Sequence, residues 1–154
     1  MAYEIAKWLH ILSSTLLFGT GLGSAYYMFF ASRTRNPTTI AHVVRQVVIA
    51  DWLFTTTTIV FQPLSGLYLA HLAHFALTSR WIVWSFALYF LAGACWVPVV
   101  FIQMRMRRLA EAASRDDTAL PTAYTRLLKI WTALGVPAFF ALVIVFYLMV
   151  AKPT

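Results

Sequence analysis

LLKIWTALGVPAFFALVIVFYLMV, residues 127–150, decides the fold. Beyond Lys129 it carries no charged side chain before Lys152, and a helix of about 20 apolar residues is what a hydrocarbon core requires. Reading outward from it, the same pattern recurs in three earlier stretches, about 4–31, 40–75 and 81–104. Between them lie polar segments: Ser32 to Thr39 with Arg33, Arg35, Asn36 and Pro37, and Arg105 to Thr125 with Arg107, Arg108, Glu111, Arg115, Asp116, Asp117 and Pro121. The whole chain of 154 residues is 61% hydrophobic and 11% charged, whereas soluble domains carry about 25% charged residues. These features exclude a disordered chain and argue against a soluble domain. The expectation is an all-α, four-helix transmembrane bundle forming a single domain, with spans at about 4–31, 40–75, 81–104 and 127–150.

The formal net charge is +7, and its placement points to membrane orientation rather than to nucleic acid. Arg33, Arg35, Arg45, Arg105, Arg107, Arg108, Arg115, Arg126 and Lys129 fall in or beside the first and third connections. Only Lys7, Arg80 and Lys152 lie at the other end. Basic loops remain cytoplasmic, so both termini are expected on the periplasmic side of a bacterial inner membrane. Trp8, Trp81 and Trp84 suit an interfacial belt at that end. The first apolar run exceeds the roughly 7–15 residues of a signal-peptide core and reads as an uncleaved span. The single cysteine, Cys95, rules out an intrachain disulfide and leaves the redox compartment open.

Polar side chains inside the spans locate the candidate chemistry. At 100° per residue, His10, Ser14, Leu17, Gly21 and Ser24 share one face of the first helix. Asp51, Thr55, Thr58, Gln62 and Ser65 share a face of the second, and Ser85, Tyr89, Ala92, Trp96 and Gln103 a face of the third. Three such stripes imply that they face inward, either as interhelical hydrogen bonds alone or as the lining of a site. Counting depth in antiparallel neighbours places Ser65, Gly66, Ser85 and Tyr147 level with His10. There, an imidazole among small residues is either a hydrogen-bonded structural histidine or an axial ligand of haem iron. His71 or His74 supplies a second ligand only if Pro63 rotates the end of its helix; otherwise both are interfacial. Asp51 is costly in a span and pairs or lines a pathway. A structural pair with Arg105, Arg126 or Lys129 is the expected arrangement, and a proton relay is the alternative. Gly19 and Gly23 form a GxxxG ridge on the face opposite His10, a surface for a second copy of the chain or for a neighbouring helix.

Trp8-Leu9-His10 with Phe18-Gly19, Pro63 with Gly66-Leu67, and Pro137 followed by Val150-Ala151-Lys152-Pro153 resemble the superfamily of HemJ-type protoporphyrinogen oxidases and CopD-like membrane domains. A closer resemblance is to a bacterial branch of predicted four-span integral membrane proteins. It is carried by Ala50-Asp51-Trp52-Leu53-Phe54-Thr55, Gln62-Pro63-Leu64-Ser65-Gly66, and Cys95-Trp96-Val97-Pro98-Val99-Val100 with Gln103. The resemblance implies b-type haem in a helical bundle, with His10 at the position of a first-helix axial ligand. HemJ-like sequences carry a functional lysine where this chain has Ser85. The expectation is therefore haem b held by His10, with Gly21 and Gly66 giving space and Gln62, Ser85 and Tyr89 lining the pocket. The function expected is electron transfer or another haem-dependent redox role in a lipid-embedded homodimer, its electron donor or quinone unidentified. A HemJ-like oxidase and a CopD-like copper or small-solute protein are the alternatives.

Overall fold

A computed structural model describes residues 1–153. Among them the chain folds as four helices: α1 (Ala2–Arg33), α2 (Pro37–Leu72), α3 (Arg80–Arg115) and α4 (Thr122–Ala151). Three of these, α2, α3 and α4, are long and apolar enough to cross a membrane. In α1, 32 residues long, Ser13, Ser14, Thr15, Gly19, Thr20, Gly21, Gly23 and Ser24 dilute the apolar content. The outward surface is apolar. In α4 only 6% of the most apolar window is buried, and Phe140, Ile144 and Phe146 face outward. Water would penalise that surface heavily, and lipid would not.

The helix ends follow local chemistry. Asn36 caps α2 by accepting from the Thr38 and Thr39 backbone N–H groups at 3.0 and 3.1 Å, and Pro37 at the first helical position has no N–H to lose. At the far end His74 adopts φ 54°, with its N–H bonded to His71 O and that of Phe75 to Ala70 O. This is a Schellman cap with histidine in the place glycine usually takes. The helix therefore ends at Leu72, before the expected Phe75. In the other direction α3 runs on from Met104 through Arg115, because Arg105 to Ala113 keep a helical spacing of small and apolar residues. Met106, Ala110 and Ala113 are buried on it.

Two ends of the bundle differ in packing. At the basic end Met28, Ile40, Val44, Val47, Val48, Met106, Ala110, Tyr124 and Trp131 form one core, and the Ser32 and Tyr124 hydroxyls meet at 2.8 Å. Backbones approach most closely along the α3–α4 hairpin, and α3 meets the first half of α2 more closely than the second. Toward the end bearing the termini, larger side chains bridge the helices. Phe18 stacks on Phe139 at 5.3 Å, and the Lys152 ammonium lies 4.8 Å from the Phe75 ring.

Two features interrupt α2. Asp51–Thr55 wind as a π-turn, so the Thr56 N–H bonds to Asp51 O, a carbonyl that also accepts from the Thr56 hydroxyl at 3.1 Å. Four consecutive threonines, Thr55 to Thr58, are crowded, and Thr56, Thr57 and Thr58 back-bond to the preceding turn, which weakens a regular α-helix here. Pro63 then deprives the Ile59 carbonyl of its usual donor, four residues on. The Tyr89 hydroxyl on α3 donates to that carbonyl at 2.6 Å. A neighbouring helix thus satisfies the acceptor that proline leaves free, as hydrocarbon demands.

Candidate functional site

The stripe read along α2 is inward: Asp51, Thr55, Thr58, Gln62 and Ser65 are all buried. On α1 the inward residues are Ser13, Leu17, Ser24 and Met28, and His10 is half-buried above them. His10 Nδ1 lies 2.7 Å from Ser65 Oγ, and a Cβ on Gly66 would stand 3.5 Å from His10 Cε1. Histidine, serine and glycine therefore share one level, as the depth count expects.

This contact couples the imidazole tautomer to the serine. Ser65 has one hydroxyl proton, and its oxygen lies 2.8 Å from Phe61 O and 3.1 Å from Gln62 O. With the proton directed to one of those carbonyls, Ser65 Oγ accepts from His10 Nδ1–H and Nε2 keeps its lone pair; in the other tautomer Ser65 donates to Nδ1. Fixing one ring nitrogen so that the other can bind is how proteins orient a ligating histidine. Ser13, three residues after His10, and Gln62, three before Ser65, lie one turn deeper on the same antiparallel contact. Their Oγ and Oε1 atoms are buried without partners.

Other expected site residues take different places. Gly21 is exposed, and a Cβ on it would meet nothing within 4 Å. It gives no space to an inward pocket, because the inward face of α1 runs through Leu17 and Ser24. Tyr147 is 65% exposed and turns outward. Ser85 is buried, and its hydroxyl donates to Trp81 O at 2.6 Å. The Tyr89 hydroxyl is held by Ile59 O. His71 is exposed and His74 is the exposed cap of α2, so neither is brought to His10. Pro63 does not bring them inward.

Asp51 forms no ion pair among the described residues. Arg105, Arg126 and Lys129 are exposed, and the recorded pairs join Met1 to Glu4, Arg107 to Glu111 and Arg115 to Asp116. Instead the Thr55 hydroxyl donates to Asp51 Oδ1 at 3.0 Å, and the buried Gln103 amide stands beside the carboxyl. The expected Asp–Arg/Lys pair gives way because α3 turns its arginines out to the basic end and only the shorter Gln103 inward. No group of three or more His, Cys, Asp or Glu gathers among the described residues to hold a bare metal ion. A wider groove of about 390 Å³, bordered by Thr20, Gly23, Tyr27, His42 and Gln46, opens on the outer surface between α1 and α2.

Sequence reasoning did not anticipate Ser13 or the Tyr89–Ile59 bond. The second was signalled by Pro63, which names its orphaned carbonyl by position.

A family model described as a predicted integral membrane protein (DUF2269) matches residues 4–153. Comparison with curated proteins and with solved structures gives no match.

Proposed function

We infer, from the premise that this chain belongs to the DUF2269 family of predicted integral membrane proteins, that it is a four-span b-type haem protein with a redox role. The observation that carries the reading is the His10–Ser65 bond, which in the tautomer protonated at Nδ1 leaves Nε2 free to ligate. The HemJ-type and CopD-like resemblance, borne by His10, Pro63 and Gly66, supports it. The donor chemistry fits a haem with one histidine ligand: an imidazole held at Nδ1 by Ser65, a glycine against its edge and unpartnered oxygens on Ser13 and Gln62 one turn deeper. Haem bound there would supply one-electron chemistry. The chain's part is to hold the iron through His10, orient that ring through Ser65 and exclude water with Gln62 and Gly66. Protein purified from membranes is expected to show a Soret band and a reduced-minus-oxidised b-type spectrum. A colourless, well-folded preparation from haem-replete cells would refute the reading.

Ser85 separates this function from porphyrinogen oxidation. Its hydroxyl is committed to Trp81 O, and no serine replaces the charge of a lysine. Expression in a strain lacking protoporphyrinogen oxidase is expected to leave growth unrescued; rescue would reinstate the oxidase.

Four spans follow if α1 crosses with the others. At about 1.5 Å per residue its length exceeds the roughly 30 Å hydrocarbon thickness, and its contacts with both halves of α2 keep it alongside. The basic end then faces the cytoplasm and both termini the periplasm. An alkaline phosphatase fused after Lys152 is expected to be active and one fused after Arg115 inactive; the reverse activities would invert the orientation.

Gly19 is exposed, and a Cβ on Gly19 or Gly23 meets nothing within 4 Å inside the chain. The ridge is therefore offered to a second copy, where close backbone contact drives association in lipid. Replacing both glycines with leucine is expected to convert the dimer to monomer on sedimentation with the haem spectrum retained. Loss of haem with the dimer intact would make the ridge an internal surface.

A further inference from the structure

Asp51 remains outside the haem reading, and its surroundings are specific. It is 7% exposed, about midway along α2, at the start of the π-turn. Single π-turns recur at functional positions because they displace a side chain that a regular helix would hold elsewhere. The turn sets Asp51 against a cavity of about 10 Å³ bordered by Val48, Trp52, Thr56, Trp96, Val100 and Gln103. That volume matches roughly one water molecule. Asp51, Gln103, Thr56 and Trp96 are the lining residues that carry polar groups, and the Trp96 indole N–H is buried without a partner.

Among the described residues no packed element pairs a charge with Asp51; the half-buried Arg107 and Glu111 of α3 bond to each other at 2.7 Å. The inward side chains of α1 are Ser13, Leu17, Ser24, Met28 and Ala31. Those of α3 are Ile82, Ser85, Ala92, Gln103, Met106, Ala110 and Ala113. On α4 they are Tyr124, Trp131 and Ala141, of which only Tyr124 titrates, and its hydroxyl is bonded to Ser32. On α2 itself Thr55, Thr58, Gln62 and Ser65 are inward and uncharged, while His42 and Arg45 are exposed. An ionised carboxylate isolated in this way is expensive in hydrocarbon. A cation that neutralises it must fit the oxygens present. Hard metal cations take about six or more oxygen ligands, and the largely apolar wall provides too few. A proton needs only one carboxyl oxygen and an acceptor, and the Gln103 carbonyl oxygen is such an acceptor.

We propose that Asp51 is a proton-binding site within the membrane: a carboxylic acid held by Thr55 and Gln103 that exchanges its proton through the adjoining cavity. Thr55 donates to Oδ1, and the Gln103 amide beside the carboxyl can donate its N–H to the carboxylate or offer its oxygen to the acid proton. The adjoining cavity, with room for about one water, is the route by which the proton is exchanged. The site gives the protein a membrane-embedded group that takes up and releases a proton. This stands independently of haem.

The test is labelling of the full-length protein in liposomes with dicyclohexylcarbodiimide, a hydrophobic reagent that consumes protonated carboxyls. The acid proton moves to a carbodiimide nitrogen while the carboxylate oxygen bonds to the central carbon. The resulting O-acylisourea rearranges to a stable N-acylurea, with no change of oxidation state. Peptide mass spectrometry is expected to find the adduct on Asp51, falling as pH rises, and absent in Asp51→Asn. Exposed Asp116 and Asp117 are expected to react with a water-soluble carbodiimide instead. Infrared difference spectra against Asp51→Asn provide a second readout, a carboxylic-acid C=O band present only in the wild type. Absence of both adduct and band overturns the proposal. Protection of Asp51 by sodium ions at fixed pH also overturns it, because the site would then be a metal-cation site.

Discussion

His10→Ala is expected to abolish the b-type spectrum of the purified protein while helix content and membrane insertion stay as in the wild type. The expectation rests on how Ser65 is satisfied. Its hydroxyl has backbone acceptors on its own helix whether or not histidine is present, so removing the imidazole leaves no buried donor stranded. Structural cost is therefore small and ligand loss is complete. Ser65→Ala separates ligation from orientation: it removes the partner of Nδ1 but keeps Nε2. Partners that orient a ligating histidine contribute about 10–100-fold to metal affinity, and haem binding is expected to weaken by about tenfold or more. A His10→Ala protein with an undiminished Soret band would assign the iron to another residue.

Tyr89→Phe is expected to destabilise the bundle by about 1–3 kcal/mol, the cost of an unpaired buried acceptor. The phenol hydroxyl is the donor to Ile59 O, and that carbonyl lacks a helical donor because residue 63 is proline. The cause can be isolated. With Pro63→Ala the backbone N–H returns and satisfies Ile59 O within the helix, so Tyr89→Phe on that background is expected to cost much less. Unfolding of the two single variants and the double variant in mixed micelles measures the coupling. Additive effects would mean that Tyr89 contributes through packing and not through this bond.

These residues also show where reading the sequence succeeds and where it stops. Helical periodicity places Thr55, Thr58, Gln62 and Ser65 inward because side-chain direction on a helix is nearly independent of the rest of the fold. Depth counting brings Ser65 and Gly66 to His10 because antiparallel helices of similar length share a register. Gly21 is assigned to the same stripe and yet faces outward. An error of a few tens of degrees in the phase of α1 accumulates over the three turns from His10, and glycine has no side chain to anchor the face. The charge partner expected for Asp51 fails for another reason: proximity in depth says nothing of which way Arg105, Arg126 and Lys129 point. Long cationic side chains turn outward to water or headgroups when they can. The π-turn has no unique sequence signal; only the threonine run after Asp51 hints at it. The helical membrane architecture is legible almost entirely from apolar length. The candidate site is legible as a level in the bundle but not as a hydrogen-bond pattern.

The central claim is that His10 presents a free Nε2 to haem iron within the membrane bundle. Titration of haemin into the haem-depleted wild-type protein in detergent tests it most directly, with His10→Ala alongside and the Soret band as readout. The account predicts a saturable red-shifted Soret band reaching its endpoint at one haem per chain in the wild type, and no such band in the variant. Identical, non-saturating absorbance from both proteins would contradict it.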